Sequence, residues 1–179
     1  MIETLVTAVV VSFGLLGIAA FQVKVAAGES ESYQRAQAIG ILTDMTERMQ
    51  TNSAAAASYV STGTVGTGDA QPPSCTALAI GATRDLCEWS NALKGTAEQN
   101  AGVNSGGLGA GRGCIVQTQA PDPSTGVCVP AIYRVSVAWL GNHPTLASAA
   151  ACGQGAYGSD ERLRRVLVAD VVIGMPGCT

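Results

Sequence analysis

The longest hydrophobic stretch of this chain lies at its start. No charged residue occurs between Glu3 and Lys24, and residues 4–23 are largely aliphatic or aromatic. A helix of about 20 apolar residues is long enough to cross the hydrocarbon core of a bilayer. The pattern therefore predicts a membrane-spanning helix over residues 4–23. Its apolar surface includes Leu5, Val9, Phe13, Gly14, Leu16, Gly17 and Phe21.

The helical pattern continues beyond the apolar run as a second, shorter stripe. It consists of Ala38, Leu42, Met45 and Met49, at spacings of four, three and four residues. Such spacings place side chains on one helix face, so we expect this face to pack against a folded head. The remaining surface is typical of a solvated face of mixed charge. It carries Glu29, Glu31, Arg35, Asp44, Glu47 and Arg48. The helix is expected to end at Asn52 or Ser53, or one turn later within residues 54–57.

The chain length suits one long helix and one small head domain. We assign residues 1–53 to the helix, with residues 1–23 as its membrane part, and residues 54–179 to the head. The head contains several strand patterns and one further helix pattern. The sequence therefore predicts an α+β fold in which the second half of the helix packs on a small antiparallel sheet.

A second helix is predicted over residues 85–94. Asp85 is the expected N-cap, Trp89 shares a face with leucines and is expected in the core, and Gly95 ends the helix. The glycine-rich residues 106–113 follow. They lack the Lys-Ser or Lys-Thr ending of a phosphate-binding loop, so we interpret them as a flexible loop.

Strand patterns dominate the rest of the head. Residues 114–119 and 127–130 flank a turn sequence and predict a hairpin. Residues 133–139 alternate between apolar and polar or small side chains, which predicts a half-buried strand. Residues 166–173 are apolar on both sides and predict another strand.

Six cysteines follow the long helix, at positions 75, 87, 114, 128, 152 and 178. An even number in an exported domain indicates disulfides and an oxidising compartment. Six cysteines allow fifteen pairings. Sequential pairing gives the shortest loops, so our hypothesis is Cys75 with Cys87, Cys114 with Cys128, and Cys152 with Cys178.

Charge and candidate chemistry argue against a catalytic or nucleic-acid-binding function. The net charge is −3 and only 13% of residues are charged, which does not suit binding through phosphate neutralisation. Arg162, Arg164 and Arg165 follow two acidic residues and are expected to be solvated. The single histidine, His143, lies in a turn sequence away from any Cys-x-x-Cys motif. No enzyme activity, metal or cofactor is expected.

Glu3 needs a partner if it enters an apolar environment, because an unpaired buried carboxylate is costly. A lipid headgroup or another protein subunit would supply one. Gly14 and Gly17 also have two interpretations. They allow close helix packing in a membrane, or they loosen the helix when it leaves lipid, since a helix-interior glycine costs about 1 kcal/mol relative to alanine.

The string MIETLVTAVVVSFGLLGIAAFQ at residues 1–22 resembles the N-terminal helix of type IV pilins. Its SFGLLGIAAFQ portion is most similar to V-type minor pilins, also called type IV pilus modification proteins. In the head, ATRDLCEWSNALKG and AIYRVSVAWLG look like the DL-x-x-W and Tyr-x-V-x-V-x-W stretches of that family. The resemblance implies the type IV pilin fold.

The resemblance also implies how the subunit is processed and assembled. A prepilin peptidase removes a leader, the new amine is methylated, and the numbering used here begins two residues inside the mature protein. Glu3 then pairs with the terminal amine of a neighbouring subunit as the helix moves from the inner membrane into the filament. The implied partners are other minor pilins, major pilins and the assembly platform. The implied function is priming of assembly near the pilus tip, with indirect effects on twitching motility, adhesion and DNA uptake.

Two alternatives remain open at this stage. A type II secretion pseudopilin shares the same helix but builds a short periplasmic filament. A membrane-anchored periplasmic binding module has a similar apolar segment and never polymerises, so it would tolerate loss of the Glu3 carboxylate.

Overall fold

One helix accounts for the first part of the chain. In the computed structural model, which describes residues 1–96, 99–100, 103–104 and 106–175, helix α1 spans Ile2–Thr51. A 3₁₀ helix, Ser53–Tyr59, follows directly. The chain divides into two compact units, Met1–Arg35 and Ala36–Thr179. The last turns of α1 therefore belong to the same unit as the sheet.

The second unit is built around a four-stranded antiparallel sheet. Its strands are β1 (Val65–Gly66), β4 (Arg112–Gln119), β5 (Ala131–Leu140) and β6 (Arg164–Ile173), in the spatial order β1-β4-β5-β6. A separate two-stranded ribbon is formed by β2 (Gln99–Asn100) and β3 (Val103–Asn104). Helix α2 spans Ala82–Lys94. The result is the predicted α+β fold.

The core lies between α1, α2 and one face of the sheet. The four buried residues of α1 are Ala38, Leu42, Met45 and Met49. They join one cluster with Trp89 and Leu93 of α2 and with Val135 and Val137 of β5. Trp89 is fully buried, and its indole N–H donates a hydrogen bond to the Ile41 carbonyl at 3.1 Å. This bond ties α2 to α1 because a buried indole donor needs an acceptor.

Helix α2 begins earlier than the sequence predicted. Its N-cap is Gly81, and no side chain caps the first turn. Asp85 is not the N-cap because its carboxylate is engaged elsewhere, by Arg48 and by the Tyr59 hydroxyl. The end of the helix is at the predicted place. Gly95 has φ 68°, a left-handed conformation that suits glycine.

Of the glycine-rich residues 106–113, residues 106–111 form the expected loop and residues 112 and 113 belong to β4, and this segment is closely packed. Gly107 lies directly against the backbone of Gly95, and Gly111 lies against the Leu93 carbonyl. The ring of Trp89 lies over Gly113, where any side chain would overlap it. The glycines therefore let this segment pack closely on the end of α2.

The predicted hairpin was wrong in its second strand. Residues 127–130 make only an isolated bridge, Asp122 with Val129, and β4 pairs instead with β5. In the β4–β5 register, Ser136 of β5 lies opposite Cys114 of β4.

The disulfide hypothesis was correct for one pair and wrong for the others. Cys75 is bonded to Cys87. Cys114 is bonded to Cys152, which excludes the predicted Cys114–Cys128 and Cys152–Cys178 pairs. The shortest-loop rule failed because Cys152, in the segment before β6, lies next to Cys114 and Ser136, whereas Cys128 does not pair with Cys114. Cys128 is itself disulfide-bonded, and Cys178 lies outside the described residues.

The burial of β5 follows the predicted alternation, since Tyr133, Val135, Val137 and Trp139 are all buried, but it also extends to the other face. Ser136 and Ala138, on the face of β5 away from α1, are buried, so β5 is covered on both sides over its second half. Strand β6 is one of the two edge strands of this sheet, and its Val168 and Val172 are exposed. An apolar run does not distinguish a central strand from an edge strand.

Candidate assembly surfaces

The apolar half of α1 has its side chains turned outward. Residues 1–26 are all exposed, and an 18-residue window in the helix has a mean hydropathy of 2.3. The helix is long and apolar enough to cross a membrane. More than half of each large side chain in the predicted apolar set is accessible, namely Leu5, Val9, Phe13, Leu16 and Phe21. Exposure of this extent in water is unfavourable by about 25 cal/mol per Å², so this surface requires lipid or other helices.

The hydroxyl groups in this half are satisfied within the helix. Thr4 donates to the Met1 carbonyl, Thr7 to the Glu3 carbonyl and Ser12 to the Ala8 carbonyl, each at 2.7 Å. Polar groups in an apolar environment need hydrogen-bond partners within the protein, because no water is available there. These three hydroxyl groups have such partners. They leave the carboxylate of Glu3 as the charged group at the start of the apolar run.

Glu3 lies in the first turn of α1. The positive end of the helix dipole favours a carboxylate there. Within the described part of the chain, this carboxylate has no hydrogen-bond or ion-pair partner. Any partner of this carboxylate therefore lies outside the described part of the chain.

Gly14 and Gly17 lie within the continuous helix. No atom beyond the local backbone comes within 4 Å of the place where a Cβ would stand on either residue. Both positions have room for a methyl group. These two glycines therefore differ from those of residues 106–113, which are packed.

The sequence analysis missed a charged cluster that joins α1 to α2. Arg48 was expected on a solvated face, but it donates to Asp44 of its own helix and to Asp85 and Glu88 of α2, at 2.6–3.1 Å. Burial opposes its charge, yet these bonds outweigh burial and raise the pKa of Arg48. The bond from Arg48 in turn lowers the pKa of Glu88. Only the four-residue spacing of Asp44 and Arg48 was a signal for part of this cluster.

A second misjudged arginine holds the segment that precedes β6. Arg164 was expected to be solvated, but its side chain is only 2% exposed and pairs with Glu161 at 2.5 Å. Its guanidinium also donates to the carbonyls of Ser148, Ala150 and Cys152. Together with the Cys114–Cys152 disulfide, these bonds hold the segment over the second half of β5.

The potential metal-ligating side chains do not cluster in the part of the chain that the structure describes. No group of three or more His, Cys, Asp or Glu side chains among them is suited to a metal ion. His143, the only histidine in the sequence, is exposed, and its carbonyl accepts a bond from Arg165. The exposed apolar half of α1 and the exposed parts of the head are candidate surfaces for association.

A family model of type IV pilins, the Tt1218-like family described as type IV pilin Tt1218, matches residues 20–89. The matched region runs from the end of the apolar run to Trp89, which is less than half of the 179 residues. No curated protein and no solved structure matches the chain significantly. Type IV pilins are structural proteins that assemble into a pilus. The long apolar helix, the four-stranded antiparallel sheet and the disulfides give this chain the type IV pilin fold, and the family match supports a type IV pilin.

Proposed function

We propose that this chain is a minor pilin, of the V type, that helps to prime assembly of a type IV pilus. Before assembly, the apolar half of α1 holds the subunit in the inner membrane with its head in the periplasm. During assembly the same surface leaves lipid and packs against the helices of neighbouring pilins. The observation that carries this proposal is the exposed apolar first half of α1, residues 1–26, with a single carboxylate, Glu3, at its start.

The proposed role of Glu3 is to set the register of the incoming subunit. Its carboxylate is without a partner within the described part of the chain, and the methylated terminal amine of a neighbouring subunit supplies the opposite charge. The pair forms in an apolar surrounding, where a lone charge is strongly disfavoured. A subunit whose axial position does not bring Glu3 to that amine is therefore disfavoured. A subunit in which the two groups meet is retained.

The subunit is proposed to act near the pilus tip, together with other minor pilins and the major pilin. Prepilin peptidase and the assembly platform handle it before and during incorporation. Effects on twitching motility, adhesion or DNA uptake then follow indirectly, through the number of pili. The disulfide-bonded head acts by association with other subunits. It uses no cofactor and carries out no reaction.

Mass spectrometry of sheared filaments and of membranes tests this proposal. The wild-type chain is expected in both fractions, and a Glu3→Ala variant only in membranes. Glu29→Ala is the matched control, because it removes a carboxylate from the same helix outside the apolar run. A wild-type chain confined to the membrane would contradict the proposal and favour a pseudopilin or a fixed binding module. Normal incorporation of Glu3→Ala would contradict the role given to Glu3.

A further inference from the structure

The two edges of the four-stranded sheet differ in how they are protected. At one edge, β1 covers Arg112 and Gly113, and Ser61 bonds to the backbone of Ile115 in both directions. A register shift between Gln117 and Gln119 disturbs the remainder of that edge. Short edge strands, coverage and irregular register are the ordinary means by which proteins prevent unwanted strand pairing.

The opposite edge, β6, has none of these protections within the described part of the chain. It is ten residues long and pairs with β5 in one continuous register from Arg164 to Ile173. The strand contains no lysine and no proline. Its one acidic residue, Asp170, is neutralised by Arg134 through two hydrogen bonds of 2.8 and 2.9 Å. The edge is therefore long, regular and without net charge in its middle.

The hydrogen-bond pattern shows which backbone groups of β6 face outward. Gly141 N–H donates to the Leu163 carbonyl, so these two residues extend the β5–β6 ladder as a hydrogen-bonded pair. In an antiparallel ladder such pairs alternate, so the odd-numbered residues of β6 bond to β5. The backbone N–H and C=O groups directed to the open edge belong to Val166, Val168, Asp170 and Val172.

Three of these four residues, Val168, Asp170 and Val172, are exposed on one face of the sheet. Val168 and Val172 are 43% and 57% exposed, and Val116 of β4 is 44% exposed on the same face. Around the Arg134–Asp170 pair this surface is apolar and electrically neutral. It does not suit an anionic lipid surface or a nucleic acid, both of which require unpaired basic groups. Unpaired strand backbone beside an apolar surface suits an extended peptide strand.

We propose that β6 is a docking edge, on which an extended, uncharged segment of a different pilin subunit adds as a fifth strand. This inference rests on the proposed function, because it takes the partner from the same filament. A second copy of the chain is excluded as the occupant by two arguments. Pairing of β6 with another β6 requires a two-fold axis, which a filament of parallel subunits does not provide. Head-to-tail pairing requires a second open edge, and the β1 edge is protected.

Photocrosslinking on the full chain in cells that carry native filaments tests this edge. A photoreactive benzoylphenylalanine replaces Val172, and in a matched control it replaces Leu146, which is 92% exposed in a different part of the head. Filaments and membranes are analysed separately by mass spectrometry. We expect the probe at position 172 to link to another filament protein and the probe at position 146 to give no such product.

Proline scanning of the edge tests whether backbone pairing is responsible. With the probe at position 172, Val168→Pro removes an outward N–H, whereas Val168→Ala removes the side chain but keeps that N–H. Crosslinking in the proline variant should fall about tenfold below that of the alanine variant. A Cys114–Cys152 peptide recovered from both variants would show that the sheet has formed. If the proline variant lacks it, the probe at position 172 in the otherwise unchanged chain decides the question.

The outcomes separate this inference from the proposed function. A chain that enters filaments but gives no crosslink from position 172 would overturn the docking edge and leave the minor-pilin function intact. A product containing only two copies of this chain would overturn the choice of partner. A crosslink to another pilin in membranes, from a chain absent from filaments, would support the edge and contradict the proposed function.

Discussion

The two compact units of this chain treat the same kinds of residue in opposite ways. In Met1–Arg35, Phe13 is 71% exposed, and the apolar side chains around it face outward. In Ala36–Thr179, Trp89 is fully buried, its indole is hydrogen-bonded, and it contacts a closely fitted glycine. The head buries its apolar side chains in its own core, whereas the apolar side chains of the first half of α1 can be buried only by lipid or by other helices.

This difference separates stability from assembly. Substitutions in the head core should change the free energy of unfolding, because they alter contacts that exist in a single chain. Substitutions in the exposed half of α1 should change membrane insertion or filament packing instead. The following predictions use matched substitutions in the two units to test that separation.

The largest expected effect comes from truncation of a buried aromatic side chain. Trp89→Ala should lower the free energy of unfolding of the head by about 3–5 kcal/mol, because it leaves a cavity and removes the bond to Ile41. Phe13→Ala, which also truncates an aromatic residue, should leave the free energy of unfolding of the head unchanged. Thermal unfolding of the full chain in detergent measures both. An equal loss in the two variants would contradict the separation of the units.

Removal of the longer disulfide should have the next largest effect. The Cys114–Cys152 bond closes a sequence separation of 38 residues, and the Cys75–Cys87 bond one of 12. Replacing Cys114 and Cys152 by serine should lower the free energy of unfolding by roughly 2–4 kcal/mol. The same replacement of Cys75 and Cys87 should lower it by less, because that bond closes a shorter loop. Peptide mapping without reduction should recover these two pairs from the wild type, and a third linkage that includes Cys128. Membrane insertion should be unaffected, because the apolar half of α1 contains no cysteine.

The sequence predicted those features that depend on local periodicity. Residues 38, 42, 45 and 49 are the four that α1 buries, because helical spacing alone places them on one face. Gly95 ends α2 because a left-handed residue is needed there, and Trp89 is in the core. The strand around residues 133–139 was also evident from its alternation, although it extends from Ala131 to Leu140.

The features that sequence analysis missed depend on which distant segments meet. Arg48 and Arg164 looked solvated because their acidic or carbonyl partners lie on other elements. The Cys114–Cys152 bond depends on where the segment before β6 packs on the sheet, which a count of residues between cysteines does not contain. The apolar composition of β6 predicted a strand, but it does not reveal that this strand lies at an edge of the four-stranded sheet.

Identical glycine substitutions should have opposite effects in the two units. Gly113→Ala should lower the free energy of unfolding by about 1–3 kcal/mol, because its methyl group would overlap the Trp89 ring. Gly14→Ala has open space around it and should favour the helix by about 1 kcal/mol. Thermal unfolding reports the first effect, and hydrogen exchange of residues near position 14 in detergent reports the second. Faster exchange in Gly14→Ala, or a more stable Gly113→Ala head, would contradict the prediction.

The smallest expected effect is a pH dependence located in the head. Burial alone would raise the pKa of Asp69, but hydrogen bonds from Lys94, Gly66, Ser90 and Gln71 outweigh it, and the pKa is lowered. A lowered pKa in the folded state means that the stabilisation is present above the pKa of the unfolded chain. It is lost as the pH falls through the folded pKa, below about pH 4. Stability from this group should therefore be constant near neutrality and decline only in acid.

Asp69→Asn isolates this contribution, because asparagine retains one acceptor oxygen but does not titrate in this range. At pH 7 the variant should be less stable than the wild type by about 1 kcal/mol, and the difference should shrink as the pH falls from 5 towards 2. Asp122→Asn is the control: that carboxylate accepts hydrogen bonds only from Ser124 in its own exposed turn, so its removal should change the free energy of unfolding less. Because Asp69 belongs to the head, membrane insertion of the apolar helix should not change in the variant. A pH-independent difference between Asp69→Asn and the wild type would show that the carboxylate stabilises the loop by shape and not by charge.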